Sequence, residues 1–222
     1  MKATRPRARR GEGEKLREEI LAAAASLLAR TGDEAAVSIR AIAEAVGVSA
    51  PSIYRHFADK DALMMAVCEQ VFERLDDTLE AAAAGIDDPL EALQARGEAY
   101  VRFGLEHTES YRLLFMVQHG HRDGDAAYDL GAEELAGSRA FGHLREAVER
   151  VLDAAGLQGA DRPDGHAITC AMWTGVHGIV ALRISFPDFP WPDVAQQVAL
   201  VCDPGLRRHA PPAERRDGRR RR

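Results

Sequence analysis

The sequence predicts an all-α protein of about nine helices, a small N-terminal three-helix unit followed by a larger all-helical body. Apolar residues recur at the i, i+3, i+4, i+7 spacing of one helical face through most of the 222 residues. No stretch shows the sustained period-two alternation of a half-buried strand. Capping residues, glycines and prolines separate these patterns at intervals that suit helices.

The N-terminal segment is basic and leads into a first helix. Residues 1–13 have no acid before Glu12 and contain Lys2, Arg5, Arg7, Arg9 and Arg10. We expect a disordered arm there, because the segment has no apolar face to bury. The next helix is predicted over about residues 14–29, and its inward positions are Leu16, Ile20, Ala24, Leu27 and Leu28.

Residues 38–57 predict two helices joined by a tight turn. Ser38 suits the N-cap of the first, whose apolar face consists of Ile39, Ile42, Ala43 and Val46. Gly47 can adopt the left-handed conformation that ends a helix. Ser49 then suits an N-cap, with Pro51 in the first turn and Ile53 pointing inward. This arrangement is typical of a helix-turn-helix that binds DNA.

The remaining chain is predicted to be helical between a few loops. The expected helices cover about 59–84, 88–106, 108–118, 130–155, 163–185 and 192–202. Lys60 lies in the first turn of the first of these, where a cation opposes the helix dipole. Its position indicates a nearby phosphate, unless the side chain is merely solvated.

Charge is distributed unevenly along the chain. Residues 1–57 carry 10 Lys or Arg against 7 Asp or Glu, and residues 206–222 carry 8 against 2. The segment between them therefore holds −15, although the net charge is only −6. Basic ends and an acidic body suit a DNA-contacting module joined to a part that avoids DNA, although charges also simply cover surfaces.

The cysteines and the hydropathy pattern indicate the cellular compartment in which the protein is expected. Cys68, Cys170 and Cys202 are few, odd in number and far apart, which argues for a reducing compartment such as the cytoplasm and against a disulfide framework or zinc site. No apolar stretch follows the basic N-terminus, so we expect no secretory signal. Polar residues interrupt the apolar segment 167–186, which favours a buried helix over a membrane span.

The run from Ile39 to Leu63 resembles the N-terminal domain of TetR-family transcriptional regulators. The matching residues are Ala43, Gly47-Val48, Ile53-Tyr54, His56-Phe57 and Lys60, and the likeness covers about residues 14–70. We accordingly divide the chain into a basic arm (1–13), a DNA-binding domain (14–60, motif 38–57), a helical regulatory and dimerisation domain (61–204) and an Arg-rich tail (205–222).

The resemblance implies a homodimer whose two second helices enter major grooves of an operator in double-stranded DNA. The residues expected to contact DNA are Arg40, Ser49, Ala50, Pro51, Ser52, Tyr54, Arg55, His56 and Lys60. Most of these contacts would go to phosphates, which position the protein without reading sequence. Arg55, Ser49 and Ser52 carry donors that could read bases. Repression, relieved by a small-molecule effector, is the family's usual mode.

The second half resembles the family less specifically. TESYRLLFMV at 108–117 is similar to the sixth helix of many such regulators, and Trp173 to Gly178 resembles a Trp-His-Gly subgroup of their C-terminal domains. Candidate effector-binding residues are Tyr100, Phe103, His107, Tyr111, Phe115, Trp173 and His177, although aromatic residues at helical spacing are more often core. Candidate dimer contacts are Ala171, Gly175, Gly178, Ile179 and Leu182, which include small residues that allow close helix approach.

Other functions have weaker support in the sequence. His119, His121, Asp123 and Asp125 have metal-ligand side chains but lack the spacing of an ordered site, so we expect no metal and no other cofactor. No nucleophile elbow, phosphate loop or catalytic carboxylate pair stands out, so we expect no enzyme. The alternatives are a non-specific architectural DNA-binding protein and a small-molecule-binding protein with an incidental helix-turn-helix.

Overall fold

The computed structural model describes residues 12–32, 36–115, 136–159 and 162–203. These residues form nine helices and no strand, which confirms the predicted fold class. The helices are α1 (Glu12–Thr31), α2 (Ile39–Val46), α3 (Ala50–Ile53), α4 (Lys60–Ala83), α5 (Pro89–Glu106), α6 (Thr108–Phe115), α7 (Ala136–Ala154), α8 (Gly165–Ser185) and α9 (Val194–Cys202). The start of the predicted arm, the tail and the loop with His119 and His121 lie outside the described residues.

The helix ends follow the capping residues that the sequence offers. Asp59, Asp88, Asp164 and Asp193 each accept a hydrogen bond from a backbone N–H in the first turn of the helix that follows. These caps start α4, α5, α8 and α9 within two residues of the predicted positions. α1 begins at Glu12, before the expected position, so the last two residues of the predicted arm are helical.

The first three helices form a small unit whose core continues into the body. Ile20, Ala24 and Leu28 of α1 are buried with Ile42 and Ala43 of α2 and Ile53 of α3. The Arg17 guanidinium lies 5.3 Å from the centre of the buried Phe57 ring, which closes the end of this core.

α4 belongs to both parts of the molecule. Its first half buries Leu63, Met64, Val67 and Val71, and its second half buries Leu75 and Ala83. The helix packs on α1 of the N-terminal unit and on α5 and α7 of the body. α6 also reaches both parts, because it packs on α1 as well as on α4 and α5. The N-terminal unit is therefore connected to the body through two helices.

α5 is the central helix of the body and packs against α4, α6, α7, α8 and α9. Two glycines permit its close approach to neighbours. A Cβ built on Gly97 would lie 2.6 Å from Val198 Cγ1 of α9, and one on Gly104 would lie 2.5 Å from Val180 Cγ1 of α8. The body core thus depends on the absence of a side chain at these two positions.

α8 is long and apolar enough, by length and composition, to cross a membrane. It packs against α5, α7 and α9, and its buried residues include Thr169, Met172, Val176 and Val180. The Thr169 hydroxyl donates to the Gly165 carbonyl 2.7 Å away, which satisfies that buried polar group. Only 28% of its most apolar 18-residue window is buried, so the prediction of a buried helix holds for one face of α8 and not for the whole helix.

Candidate functional site

The turn between α2 and α3 has the expected geometry. Ser38 caps α2 by accepting from the Ala41 N–H at 3.1 Å. Gly47 lies at φ 77° and ψ 29°, and its N–H and that of Val48 donate to the Ala43 carbonyl. A residue with a Cβ is strained at this φ, so glycine sets the angle between the two helices.

The outer side of α3 carries a chain of side-chain hydrogen bonds. Ser49 lies at the N-cap position but makes no side-chain cap bond, contrary to expectation. Its hydroxyl instead lies 2.9 Å from the Ser52 hydroxyl, and the Arg55 guanidinium donates to Ser52 over 3.0 Å. The three predicted base-reading side chains therefore form one connected group, with Arg55 at its exposed end.

The other predicted DNA contacts surround this group. Arg40 and Pro51 are exposed, Tyr54 is 53% exposed, and Ala50 and His56 are half-buried. α3 is shorter than expected, since its helical residues end at Ile53 and a turn carries the chain to Phe57. Lys60 is the first residue of α4, directly after the capping Asp59, as predicted. A tyrosine that is more than half exposed buries little apolar area, which suits a contact with a partner.

The body contains a cavity of about 290 Å³ bounded by α4, α5, α7 and α8. This volume lies at the lower end of the range for small-molecule sites. Its wall is mostly apolar, and aromatic rings come from Phe72, Tyr100, Phe115, Phe141 and Trp173. Phe141 and Trp173 meet edge to face, with centroids 6.0 Å apart. The cavity can thus hold an apolar molecule against several ring faces.

Three of the seven predicted effector-binding residues line this cavity: Tyr100, Phe115 and Trp173. Phe103 and His107 do not, because they lie at the end of α5 beyond the cavity and pack on each other at 5.0 Å. Tyr111 and His177 also lie outside the lining. An effector-binding role for all seven residues stays a prediction.

Tyr111 and His177 form a buried hydrogen-bonded group behind the cavity. The Tyr111 hydroxyl lies 2.6 Å from His177 Nδ1, and the Tyr100 hydroxyl lies 3.4 Å from the same atom. Burial lowers the pKa of His177 and raises the pKa of both tyrosines, so all three side chains are neutral near pH 7. The Tyr111 hydroxyl also lies 3.2 Å from the His177 carbonyl, to which it can donate. His177 of the Trp-His-Gly segment thus joins α8 to α6.

Four polar residues of the cavity wall were not among the residues predicted from the sequence. Arg96 is only 8% exposed and donates twice to Glu80, over 3.0 and 2.9 Å. The Asp76 carboxylate is 3.0 Å from His143 Nδ1. All four residues line the cavity. One signal was available in the sequence, since Arg96 occurs among small and apolar residues of a helix.

Asp76, Glu80 and His143 have potential metal-ligand atoms within 4.8 Å of one another. Arg96 holds both Glu80 oxygens, however, and places a positive charge beside the position that an ion would take. This arrangement disfavours a metal site. Cys202 also lines the cavity, and burial raises the pKa of its thiol to about 12, so it remains protonated.

The predicted dimer contacts divide into two groups. Ile179 is 8% exposed and belongs to the chain's own core, and a Cβ on Gly175 would lie 2.6 Å from Val201 of α9, so both point inward. Ala171, Gly178 and Leu182 lie on the open side of α8, where Leu182 is exposed. The dimer face stays a prediction for all five residues, and these three are the ones whose positions on α8 are open.

Two family models match the chain and together cover more than half of it. "Bacterial regulatory proteins, tetR family" matches residues 20–67, and "Tetracyclin repressor-like, C-terminal domain" matches residues 93–201. The first spans the helix-turn-helix, and the second spans most of the cavity-forming body. The Trp-His-Gly subgroup is not tested by these matches and stays a prediction.

Individual relatives agree with the two models. The chain is 32% identical over 99 residues to the HTH-type transcriptional activator FasR of Mycolicibacterium smegmatis, which is 45% of each protein. It is 30% identical over 90 residues to the HTH-type transcriptional regulator EthR of the same organism, 40% of this chain and 38% of that one. The matches thus span less than half of each curated relative.

A solved structure extends the likeness to nearly the whole fold. A protein of unknown function from Rhodococcus sp. RHA1 superposes with a TM-score of 0.69 at 27% identity, over 86% of this chain and 94% of that one. The two matching family models, the helix-turn-helix geometry and this fold together lead to one assignment: the chain belongs to the TetR family of bacterial regulatory proteins.

Proposed function

We propose that the protein is a sequence-specific DNA-binding transcriptional regulator whose affinity for its operator is changed by a small molecule bound in the body cavity. The observation that carries this proposal is the hydrogen-bonded Ser49, Ser52 and Arg55 group on the outer side of α3. The buried Ile53 anchors α3 to the core, and the opposite side of this segment presents two hydroxyls and a guanidinium to solvent. Such a short segment suits insertion into a major groove.

The contacts fall into two classes. Four side chains would bind phosphates on either side of the groove: Lys60, Tyr54, His56 and Arg40. These contacts would fix the position of the protein on the DNA and its sequence-independent affinity. Arg55 would read a base, most favourably the two acceptors of a guanine. Ser52 holds the guanidinium and reduces the rotamer freedom that Arg55 loses on binding.

A homodimer would place two such groups about 34 Å apart, one turn of DNA, on a palindromic site. Ala171, Gly178 and Leu182 on the open side of α8 are the proposed contacts. Sedimentation of the purified protein tests this, because a monomer at micromolar concentration would contradict it.

Coupling between cavity and DNA would run through α4. Lys60 begins this helix, and Asp76 lies 16 residues further along it, about 24 Å at the rise of an α-helix. Phe72, Asp76 and Glu80 of the same helix line the cavity. A second path is α6, which carries Phe115 at the cavity and packs on α1. An effector that displaces either helix would therefore displace the DNA-contacting surface.

The experiment is selection of bound DNA from a random pool, followed by footprinting. A regulator protects one short palindrome, whereas an architectural protein coats DNA without preference. Lys60→Ala should weaken binding evenly across sequences and reduce the slope of log affinity against log salt by about one. Arg55→Ala should instead relax the preference at one position of each half-site, by about 1–3 kcal/mol. Arg102→Ala, an exposed change on α5, is the matched control.

The sign of regulation has two candidates. Repression is the expected mode, while one matched relative is named a transcriptional activator. Comparing transcription from the selected site with and without the protein decides between them. As a DNA-binding regulator without a catalytic role or a membrane partner, the protein would act in the cytoplasm.

A further inference from the structure

The cavity contains one carboxylate whose charge is not matched by a guanidinium. Glu80 is neutralised by the two hydrogen bonds from Arg96. Asp76 has only the His143 ring as a partner among the described residues, and an imidazole carries a full charge only when protonated. The side chain of Asp76 is 14% exposed, so its charge lies largely away from water. Its Oδ1 meets His143 and leaves Oδ2 as an available acceptor.

Aromatic rings surround the same space. Phe72 and Asp76 are four residues apart on α4 and therefore lie on one face, while Phe141 and His143 come from α7 across the cavity. Trp173 of α8 meets Phe141 edge to face. The negative faces of aromatic rings favour a cation, and a nearby carboxylate adds to that preference.

From this combination of rings and charge we infer the class of the effector, and the inference rests on the proposed function only in treating the cavity as the effector site. The cavity binds a small aromatic molecule that carries a protonated amine. The rings lie against Phe72, Phe141 and Trp173, and the ammonium donates to Asp76. The ligand cation takes over the part of His143, whose side chain is 42% exposed and can turn towards water.

The same geometry disfavours an anionic ligand. Arg96 is the only guanidinium among the described lining residues, and its Nε and Nη2 both donate to Glu80, while Nη1 lies 3.5 Å from the Ala92 carbonyl. A ligand carboxylate would have to displace Glu80 and would leave that carboxylate unpaired beside Asp76. A neutral aromatic molecule meets no such repulsion, but it leaves Asp76 without a new partner.

Three compounds with the same ring system test the inference on the unmodified full-length protein. Naphthylmethylamine is a cation at neutral pH, naphthylmethanol is neutral and naphthoate is an anion. Isothermal titration calorimetry gives each dissociation constant without DNA present. We expect the cation to bind about tenfold more tightly than the alcohol, as one added charge-assisted contact in a partly buried site implies, and naphthoate to bind most weakly.

Variants then locate the contact. Asp76→Asn keeps the shape of the side chain and should make the cation and the alcohol bind equally. Asp77→Asn removes the same charge from the neighbouring, exposed position of α4 and should leave the tenfold preference intact. Phe141→Leu should weaken all three compounds together. The comparison of ligands on the unmodified protein stands even if one of these variants fails to fold.

Several results would overturn the inference. Tightest binding by naphthoate would mean that Arg96 exchanges Glu80 for a ligand carboxylate. Absence of binding by all three compounds, or equal loss of the cation preference in Asp76→Asn and Asp77→Asn, would also refute it. DNA selection on the same preparations keeps the two proposals apart. A protein that binds a DNA site but no naphthyl compound refutes only the effector class, and one that binds the cation through Asp76 but no DNA site refutes only the regulatory function.

Discussion

Replacing Gly104 by alanine tests how closely α5 and α8 pack. The added Cβ would lie 2.5 and 3.0 Å from the two methyl groups of Val180 and 3.1 Å from Tyr111 Cδ2. Favourable contacts between carbon atoms lie at about 3.5–4.0 Å. Val180 is fully buried and, as a β-branched residue in a helix, has one strongly preferred rotamer, so it cannot turn away.

The expected magnitude combines two opposing effects. Overpacking a dense core costs about 1–3 kcal/mol, while alanine is favoured over glycine inside a helix by about 0.5–1 kcal/mol. The midpoints of these ranges differ by about 1 kcal/mol, so we expect Gly104→Ala to lower the free energy of unfolding by about that amount. For a chain of this size that corresponds to a melting temperature about 2–4 °C lower.

Gly142→Ala is the matched control, because Gly142 is inside α7 and no described atom lies within 4 Å of the position its Cβ would take. This variant gains the higher helix propensity of alanine without a steric overlap, so its free energy of unfolding should be about 0.5–1 kcal/mol higher than that of the unmodified protein. Thermal and urea unfolding should be compared at equal protein concentration, because the apparent stability of the proposed dimer would depend on concentration. If Gly104→Ala unfolds at or above the temperature of Gly142→Ala, the close approach of α5 and α8 is wrong.

Two further predictions concern partly buried polar groups of the body, Glu80 and His177. The hydrogen bond from Arg96 lowers the pKa of Glu80 below 4.5, so the pair stabilises the protein above that pH and its contribution is lost as the pH falls through the lowered pKa. Glu80→Gln should lower the free energy of unfolding by about 1 kcal/mol at neutral pH. In this variant the free energy of unfolding should also fall less steeply as the pH is lowered, measured by urea unfolding at several pH values. The same pH dependence in the variant and the unmodified protein would contradict the role of the pair. Burial lowers the pKa of His177 from 6.5, so stability from this residue is lost as the pH falls below 6.5. Tyr111→Phe removes the hydroxyl that lies 2.6 Å from Nδ1 and should cost about 1–2 kcal/mol. We predict that this hydroxyl donates to the neutral ring, so the His177 pKa measured by NMR should rise in the variant; an unchanged pKa would contradict that direction.

Local signals in the sequence were sufficient for the DNA-binding unit. Ser38 and Gly47 are strong start and end signals for α2, and they cap it as predicted. Ile42 and Ile53 are buried at the positions that helical periodicity predicts. The exception is Ser49, whose hydroxyl pairs with Ser52 instead of capping α3. Both arrangements are open to a serine at a helix start, and the neighbouring hydroxyl decides between them.

The cavity required the tertiary structure. Tyr100 and Phe103 share an aromatic character and nearly a helix face, but one more turn of α5 carries Phe103 past the end of the cavity. Asp76 and Glu80 resemble solvent-facing charges in the sequence, and only the packing of α5 and α7 on α4 encloses them. The residues that line the cavity are far apart in sequence, and local hydrophobic periodicity does not predict contacts of that kind.

Because α4 is long, a small tilt at its cavity end would move the proposed DNA-contacting surface at its other end by a larger distance. With the cavity near one end and Lys60 about 24 Å away, a tilt of about 5° at the cavity moves Lys60 by about 2 Å. A hydrogen bond to phosphate tolerates only a few tenths of an ångström around 2.9 Å. In a symmetric dimer the two displacements would add to about 4 Å, which exceeds what hydrogen bonds to phosphate tolerate and would release both halves of the proposed dimer from its operator.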